Sequence, residues 1–161
     1  MIRLRFVTNP TLTSKFIRLA TWSDFSHVEF AFDNGYLGSL GGSVTVGGHT
    51  YPPGVQMRPL DYDPTATVQT AHVNCDDTVT ARVIQFAREA IGCPYDWTAI
   101  IGLGIHRDWH KGGTWFCSEL VAAAFDSANF NLLRIPHPDR VTPEDIYMSE
   151  IVLLDTGSKY E

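Results

Sequence analysis

The stretch S-H-V-E-F-A-F-D-N-G-Y, residues 26–36, constrains the fold of this chain more than any other. Its alternation sends Val28, Phe30 and Phe32 to one side of an extended strand and His27, Glu29 and Ala31 to the other. Asp33-Asn34-Gly35 then supplies the residues of a tight hairpin turn, so an antiparallel partner must follow. A turn centred on Asn34-Gly35 predicts Gly42 opposite His27 and Leu40 opposite Glu29. The apolar side of such a hairpin needs a second layer over it, and the remaining sequence contains helices able to provide one.

Before the hairpin, Ile2, Leu4 and Phe6 alternate with Arg3 and Arg5 in a first strand that stops at Asn9-Pro10. Residues 14–22 form a short helical pattern with Phe16, Ile17 and Ala20 on or near one face. After the hairpin, Tyr36 to Val46 is glycine-rich, and Gly47 to Gly54 is predicted as a loop because its Gly and Pro residues break regular pairing. Strands are expected over 55–60 and 66–73. Asp76-Asp77-Thr78 caps a helix whose apolar positions are Val79, Val83, Phe86, Ala87, Ala90 and Ile91, with Gly92 as its stop. C-P-Y-D-W (93–97) turns into a short apolar segment, and residues 106–113 read as a loop. Near the end, Thr142 caps a helix opening on Pro143, with Glu144 and Asp145 in its first turn, and 151–154 form a last strand. Neither a repeat nor a low-complexity linker divides the 161 residues, which predicts a single domain over 1–161 able to bury about 70% of its unfolded surface.

Charge and cysteine usage exclude several functions. A net charge of −6 without a run of Lys or Arg lacks the attraction to phosphate on which nucleic-acid binding relies. No apolar run approaches the roughly 20 residues of a membrane span, and the alternating N-terminus is not a secretory signal, so the chain as written is expected to be soluble and cytoplasmic unless another system exports it. Cys75, Cys93 and Cys117 are odd in number and lack C-x-x-C spacing, which argues against a disulfide framework or a cysteine zinc site. His106 and His110 have i, i+4 spacing, but the glutamate of H-E-x-x-H is missing, and neither a metal nor another cofactor is expected.

Residues 114–125, T-W-F-C-S-E-L-V-A-A-A-F, set Cys117 at the start of a helix whose Leu120, Val121, Ala124, Phe125 and Ala128 make one apolar face. Two readings are open there: a small apolar residue in the core, or a nucleophile in a first helical turn, where free N–H groups and the helix dipole favour a thiolate. An ordinary thiol is only about 3% ionised at pH 7, and a helix start rarely supplies the rest, so a catalytic cysteine needs a histidine held by rigid structure. Of the six histidines, His49, His106, His110 and His137 lie in predicted loops, and His72 has only Thr70 and Asn74 as same-face neighbours. His27 sits on a strand with an apolar reverse face and shares its own face with Glu29, which can orient the imidazole or stabilise its charge.

Taken together, S-H-V-E-F-A-F, G-C-P-Y-D-W, F-C-S-E-L-V-A-A-A-F and V-T-P-E-D-I-Y resemble the circularly permuted NlpC-type papain-like cysteine hydrolases, the YiiX-like group, in which the histidine strand precedes the cysteine helix. The resemblance implies an α+β fold with the nucleophile-bearing helix packed on an antiparallel sheet that carries the histidine. It further implies that Cys117 attacks a carbonyl, that His27 shuttles the proton, and that the Cys117 N–H and the Tyr95 hydroxyl hold the oxyanion. Relatives often place the orienting polar group about a dozen residues after the histidine, where this chain offers only Ser39; Glu29 is preferred as the third residue, with Ser39 as the alternative. Glu119, about 200° around the helix from Cys117, is not a candidate. The expected substrate is a peptide or amide, peptidoglycan stem peptides foremost, for which a phage or effector setting would supply delivery. The alternatives are an acyltransferase or lipid-amide hydrolase whose groove Trp22, Trp97, Trp109 and Trp115 could line, and an inert papain-like scaffold for binding or for a virion.

Overall fold

The computed structural model describes residues 1–97, 113–134 and 141–155. In chain order these form β1 (Ile2–Thr8), α1 (Leu12–Thr21), β2 (His27–Phe32), β3 (Gly35–Leu40), β4 (Val44–Val46), β5 (His49–Tyr51), β6 (Gly54–Arg58), β7 (Thr67–Val73), α2 (Asp77–Glu89), α3 (Cys117–Ser127), α4 (Pro143–Tyr147) and β8 (Val152–Leu154). The architecture is α+β. Six strands pair in the order β6-β3-β2-β1-β7-β8, every pairing antiparallel, while β4 and β5 form a separate hairpin.

Alternation in β1 and β2 explains the layering. Leu4, Phe6, Val28 and Phe30 are fully or almost fully buried on one side of the sheet, where α3 packs across β2 and β3 and α2 packs on α3. The α3 stripe Leu120, Val121, Ala124, Phe125 and Ala128 enters this core, and Phe125 stacks with Phe30 at 6.4 Å between ring centroids. Each of the Leu, Val and Phe side chains contributes roughly 1.5–3 kcal/mol when removed from water. Helix starts follow the sequence signals: Asp76 accepts the Val79 N–H at 2.8 Å, and Thr142 accepts the Asp145 N–H at 3.2 Å.

Several expectations are corrected. The β2–β3 register is Phe30 with Leu37, Ala31 with Tyr36 and Phe32 with Gly35, so the two-residue turn is Asp33-Asn34 and β3 lies two residues away from the expected pairing. Gly35 belongs to the strand, at φ 153°, where an added Cβ would strike the Arg58 carbonyl. The supposed loop 47–54 contains β5, because Gly47 and Gly48 both take positive φ and close a two-residue hairpin between Val46 and His49. On α1, Ile17 is buried but with Ser14 and Thr21 as companions; Phe16 faces outward, and Ala20 is half-buried. Ile91, expected on the buried α2 face, lies beyond the helix and is exposed. The apolar segment after Trp97, the loop over 106–112 with His106, Trp109 and His110, and His137 lie outside the described residues.

Candidate active site

The second face of β2 is buried as well, although its residues are His27 and Glu29. Polar groups survive burial only when paired, and here they are. Pairing of β1 with β2 sets Arg5 across from Glu29, and the Arg5 guanidinium donates to Glu29 Oε1 at 2.7 Å. The Tyr62 hydroxyl donates to the same carboxylate at 3.0 Å. The other oxygen, Oε2, lies 3.1 Å from His27 Nε2, so the carboxylate bends back along its own strand to meet the imidazole. Arg5 is itself held over the Tyr36 ring, 4.2 Å from its centroid.

The Cys117 side chain neighbours the same imidazole and is among the groups that raise its affinity for a proton. Cys117 is the first residue of α3, so its N–H has no acceptor one turn earlier in the helix. Phe116 precedes the helix, and its N–H donates to Glu119 at 3.1 Å; Glu119 therefore closes the helix start. Ser39 serves the same region from β3, donating to the Trp115 carbonyl at 2.6 Å and tying the sheet to the segment that leads into Cys117. Residues 94–96 run beside 115, with Trp115 N–H donating to Pro94 and Asp96 N–H to Trp115, and this seats the Tyr95 ring 5.9 Å from that of Phe116. The structure thus brings His27, Glu29, Cys117 and Tyr95 together, and occupies the Ser39 hydroxyl elsewhere.

Burial opposes a charge on His27, but the Glu29 carboxylate, the neighbouring Cys117 and the hydrogen bond to Glu29 outweigh it and raise the imidazolium pKa to about 9. Burial likewise pushes the Glu29 carboxyl up, and the charges of His27 and Arg5 reverse this to a net lowering. Burial, then the proximity of Cys117 and Asp96, raises Tyr95, which keeps its hydroxyl protonated. A stability profile follows. His27 binds its proton more tightly when folded, so its contribution is complete below about pH 6.5 and is lost as pH rises through about 9; holding the proton to about 9 instead of 6.5 corresponds to about 3 kcal/mol. Glu29 acts in the opposite sense, contributing above the usual carboxylate range and losing that contribution in acid. Urea unfolding from pH 5 to 10 is expected to show a decline beginning near neutrality, absent in His27→Gln.

Three residues here had no individual signal in the sequence. Arg5 and Tyr62 reach Glu29 from other strands or loops, so only strand pairing reveals them. Gly38 continues the β3 register to a place beside Glu29: a Cβ there would stand 2.7 Å from Glu29 Cβ and 3.2 Å from His27 Nε2. Gly38→Ala is therefore expected to cost about 1–3 kcal/mol and to displace the imidazole, read as a lower urea midpoint together with slower thiol alkylation.

His27 and Tyr95 also line a cavity of about 310 Å³, whose other walls include Asn9, Thr13, Ser26, Gly41, Ser43 and Tyr62. Trp22, Trp97 and Trp115 are not among its walls. No group of three or more His, Cys, Asp or Glu side chains among the described residues is arranged to hold a metal, and no helix among them is long and apolar enough to cross a membrane.

No known protein family and no curated protein matches this chain by sequence. Its fold is similar to that of a solved structure described as the metalloprotein yiiX from Escherichia coli O157:H7, DUF1105, with a TM-score of 0.66. The match covers 99% of this chain and 97% of that one at 16% identity, a likeness of fold. The described residues offer no metal-binding group to match that description.

Proposed function

We propose that this protein is a cysteine hydrolase of the permuted papain-like kind, cleaving an amide or peptide bond with Cys117 as nucleophile and His27 as proton carrier. The observation behind the reading is the chain of contacts from Arg5 through Glu29 and His27 to a thiol at a helix start. The fold likeness to yiiX is compatible with it.

In the first half-reaction the Cys117 proton passes to His27, whose affinity for it Glu29 raises. The sulfur attacks the carbonyl carbon, and the Cys117 N–H and the Tyr95 hydroxyl receive the oxyanion. Collapse breaks the C–N bond as the imidazolium protonates the departing amine, leaving a thioester. Water then attacks the thioester with His27 taking its proton, and the acid leaves as the thiol re-forms. Glu29 stays ionised and keeps the ring oriented, as the buried acid does in other catalytic triads. Ser39 takes no part, since its proton is committed to Trp115.

The substrate class proposed is a peptide, with peptidoglycan stem peptides the leading candidates. Incubation of the purified protein with defined muropeptides and with N-acyl lipid amides, followed by mass spectrometry, tests this. Release of an amine from muropeptides by wild type but not by Cys117→Ala supports the reading; cleavage of lipid amides alone moves the substrate to that class, and cleavage of neither by folded protein counts against the hydrolase.

A further inference from the structure

Tyr62 stands in the loop between β6 and β7, Pro59-Leu60-Asp61-Tyr62-Asp63-Pro64, and is its buried residue: Leu60 is 52% exposed and Tyr62 only 8%. Its N–H donates to the Pro59 carbonyl at 3.2 Å, and the Asn9 side-chain amide donates to Asp63 at 2.7 Å, so the loop is fastened on both sides of the ring. The ring meets that of Tyr36 edge-on, with 6.0 Å between centroids, and the Arg5 guanidinium lies 5.3 Å from its centroid. A buried hydroxyl requires a partner, and this one lies 3.0 Å from each oxygen of Glu29. Within the Arg5–Glu29–His27–Tyr62 network, His27 and Tyr62 also line the cavity, whereas Arg5 and Glu29 do not. Tyr62 is therefore a donor to the buried acid at the wall of the space where a substrate would lie.

We propose that Tyr62 is a positioning residue that acts on His27 through Glu29: its hydroxyl shares the charge of the carboxylate and so limits how firmly Glu29 holds a proton on the imidazole. The inference deepens the hydrolase reading and rests on it. Arg5 donates to Oε1, while Oε2 faces His27 Nε2. The Tyr62 hydroxyl reaches both oxygens, so it draws charge from the one that faces the imidazole. The limit matters because His27 has to give its proton back. An imidazolium held too firmly still stabilises a thiolate beside it but fails to protonate the departing amine. Burial and the nearby charges of Glu29 and Asp63 raise the Tyr62 phenol, which keeps its proton and stays a donor. The other titratable groups around this network are Arg5 on β1, Tyr36 on β3, Arg58 on β6, Asp63 in the same loop, Tyr95, and Cys117 on α3. Exchanging Tyr62 for Phe retains every one of them.

NMR titration of the His27 ring in the full-length Cys117→Ala protein, with and without Tyr62→Phe, tests it. Tyr62→Phe keeps the ring and removes only the hydroxyl, and the His27 midpoint is expected to rise by roughly half a unit to one unit. A ring-fluorinated tyrosine at position 62, a more acidic phenol and a stronger donor, is expected to move the midpoint the other way, and it preserves the contacts should Tyr62→Phe fold poorly. With the thiol intact, Tyr62→Phe is expected to lower kcat on muropeptides several-fold at nearly unchanged KM. Alkylation of Cys117, which needs the thiolate but no acid, is expected to keep most of its rate; a merely structural role lowers both. A His27 midpoint that stays or falls in Tyr62→Phe overturns the inference, even where muropeptides are cleaved. A midpoint that rises in a folded protein that cleaves no amide supports the link from Tyr62 to His27 and counts against the hydrolase.

Discussion

A small thiol-directed electrophile such as iodoacetamide is expected to modify Cys117 before Cys75 or Cys93, although Cys117 is the most buried of the three. The expectation sets two causes against each other. By access alone Cys75 and Cys93, both half-buried, react ahead of Cys117, which is 1% exposed. By activation Cys117 leads, since among the described residues it alone of the three neighbours an imidazole whose proton affinity is raised and stands at a helix start. Peptide mapping of the partially alkylated protein decides which dominates. His27→Ala is expected to slow Cys117 labelling by roughly a hundredfold, and to lower amide turnover by at least as much, because general acid–base catalysis contributes about 10²–10⁴-fold. Cys117→Ala is expected to abolish turnover. Labelling in the order of exposure, unchanged by His27→Ala, would sink the activated dyad.

Glu29→Ala is expected to be the most destabilising single substitution in the site. Removing one partner of a buried ion pair costs about 3–5 kcal/mol, because the remaining charge keeps its desolvation penalty without the attraction that offset it. Glu29 leaves three groups behind: the Arg5 guanidinium, the Tyr62 hydroxyl and the His27 ring. Glu29→Gln retains an acceptor for Arg5 or Tyr62 and is expected to lose less stability, while lowering the proton affinity of His27 by removing the charge that raises it. Urea midpoints order the two variants, and the His27 proton resonances followed by NMR read the second effect directly. Little loss of stability in Glu29→Ala would show that the Arg5–Glu29 pair contributes no net stability.

Much of the architecture was legible in local patterns because those patterns are set by neighbours in sequence. The β1 and β2 alternations, the Asp76 and Thr142 caps and the α3 stripe are of this kind. His27 and Glu29 could be placed on one side of β2 for the same reason. What local pattern does not carry is registration between strands. Asp33-Asn34-Gly35 permits turns centred on either pair, and the choice is made by Gly35 pairing with Phe32 as a strand residue, close against the Arg58 carbonyl. That shift of two residues moves Gly38, and not Leu40, beside Glu29. Arg5 reads locally as the solvent side of a strand, and its burial arises only because β1 lies in mid-sheet with Tyr36 and Tyr62 covering that face. The outward turn of Phe16 has a similar origin. The buried side of α1 is taken by Ser14, Ile17 and Thr21, where the Ser14 hydroxyl accepts from the Asn9 N–H and the Thr21 hydroxyl donates to the Ile17 carbonyl.

His27 and Cys117 meet through a sheet and a helix whose sequences are far apart, and this has a consequence for how the molecule comes into being. Contacts between distant segments form late in folding, since the loop between them must close first. During synthesis β1, β2 and β3 emerge well before α3, so the Arg5–Glu29–His27 chain can assemble while the thiol is still to come. Until α3 docks on β2 and β3, Cys117 is an ordinary cysteine with no imidazole beside it. On the proposed chemistry, reactivity is therefore a property of the finished fold, and an unfolded or half-made chain is expected to carry no activated thiol.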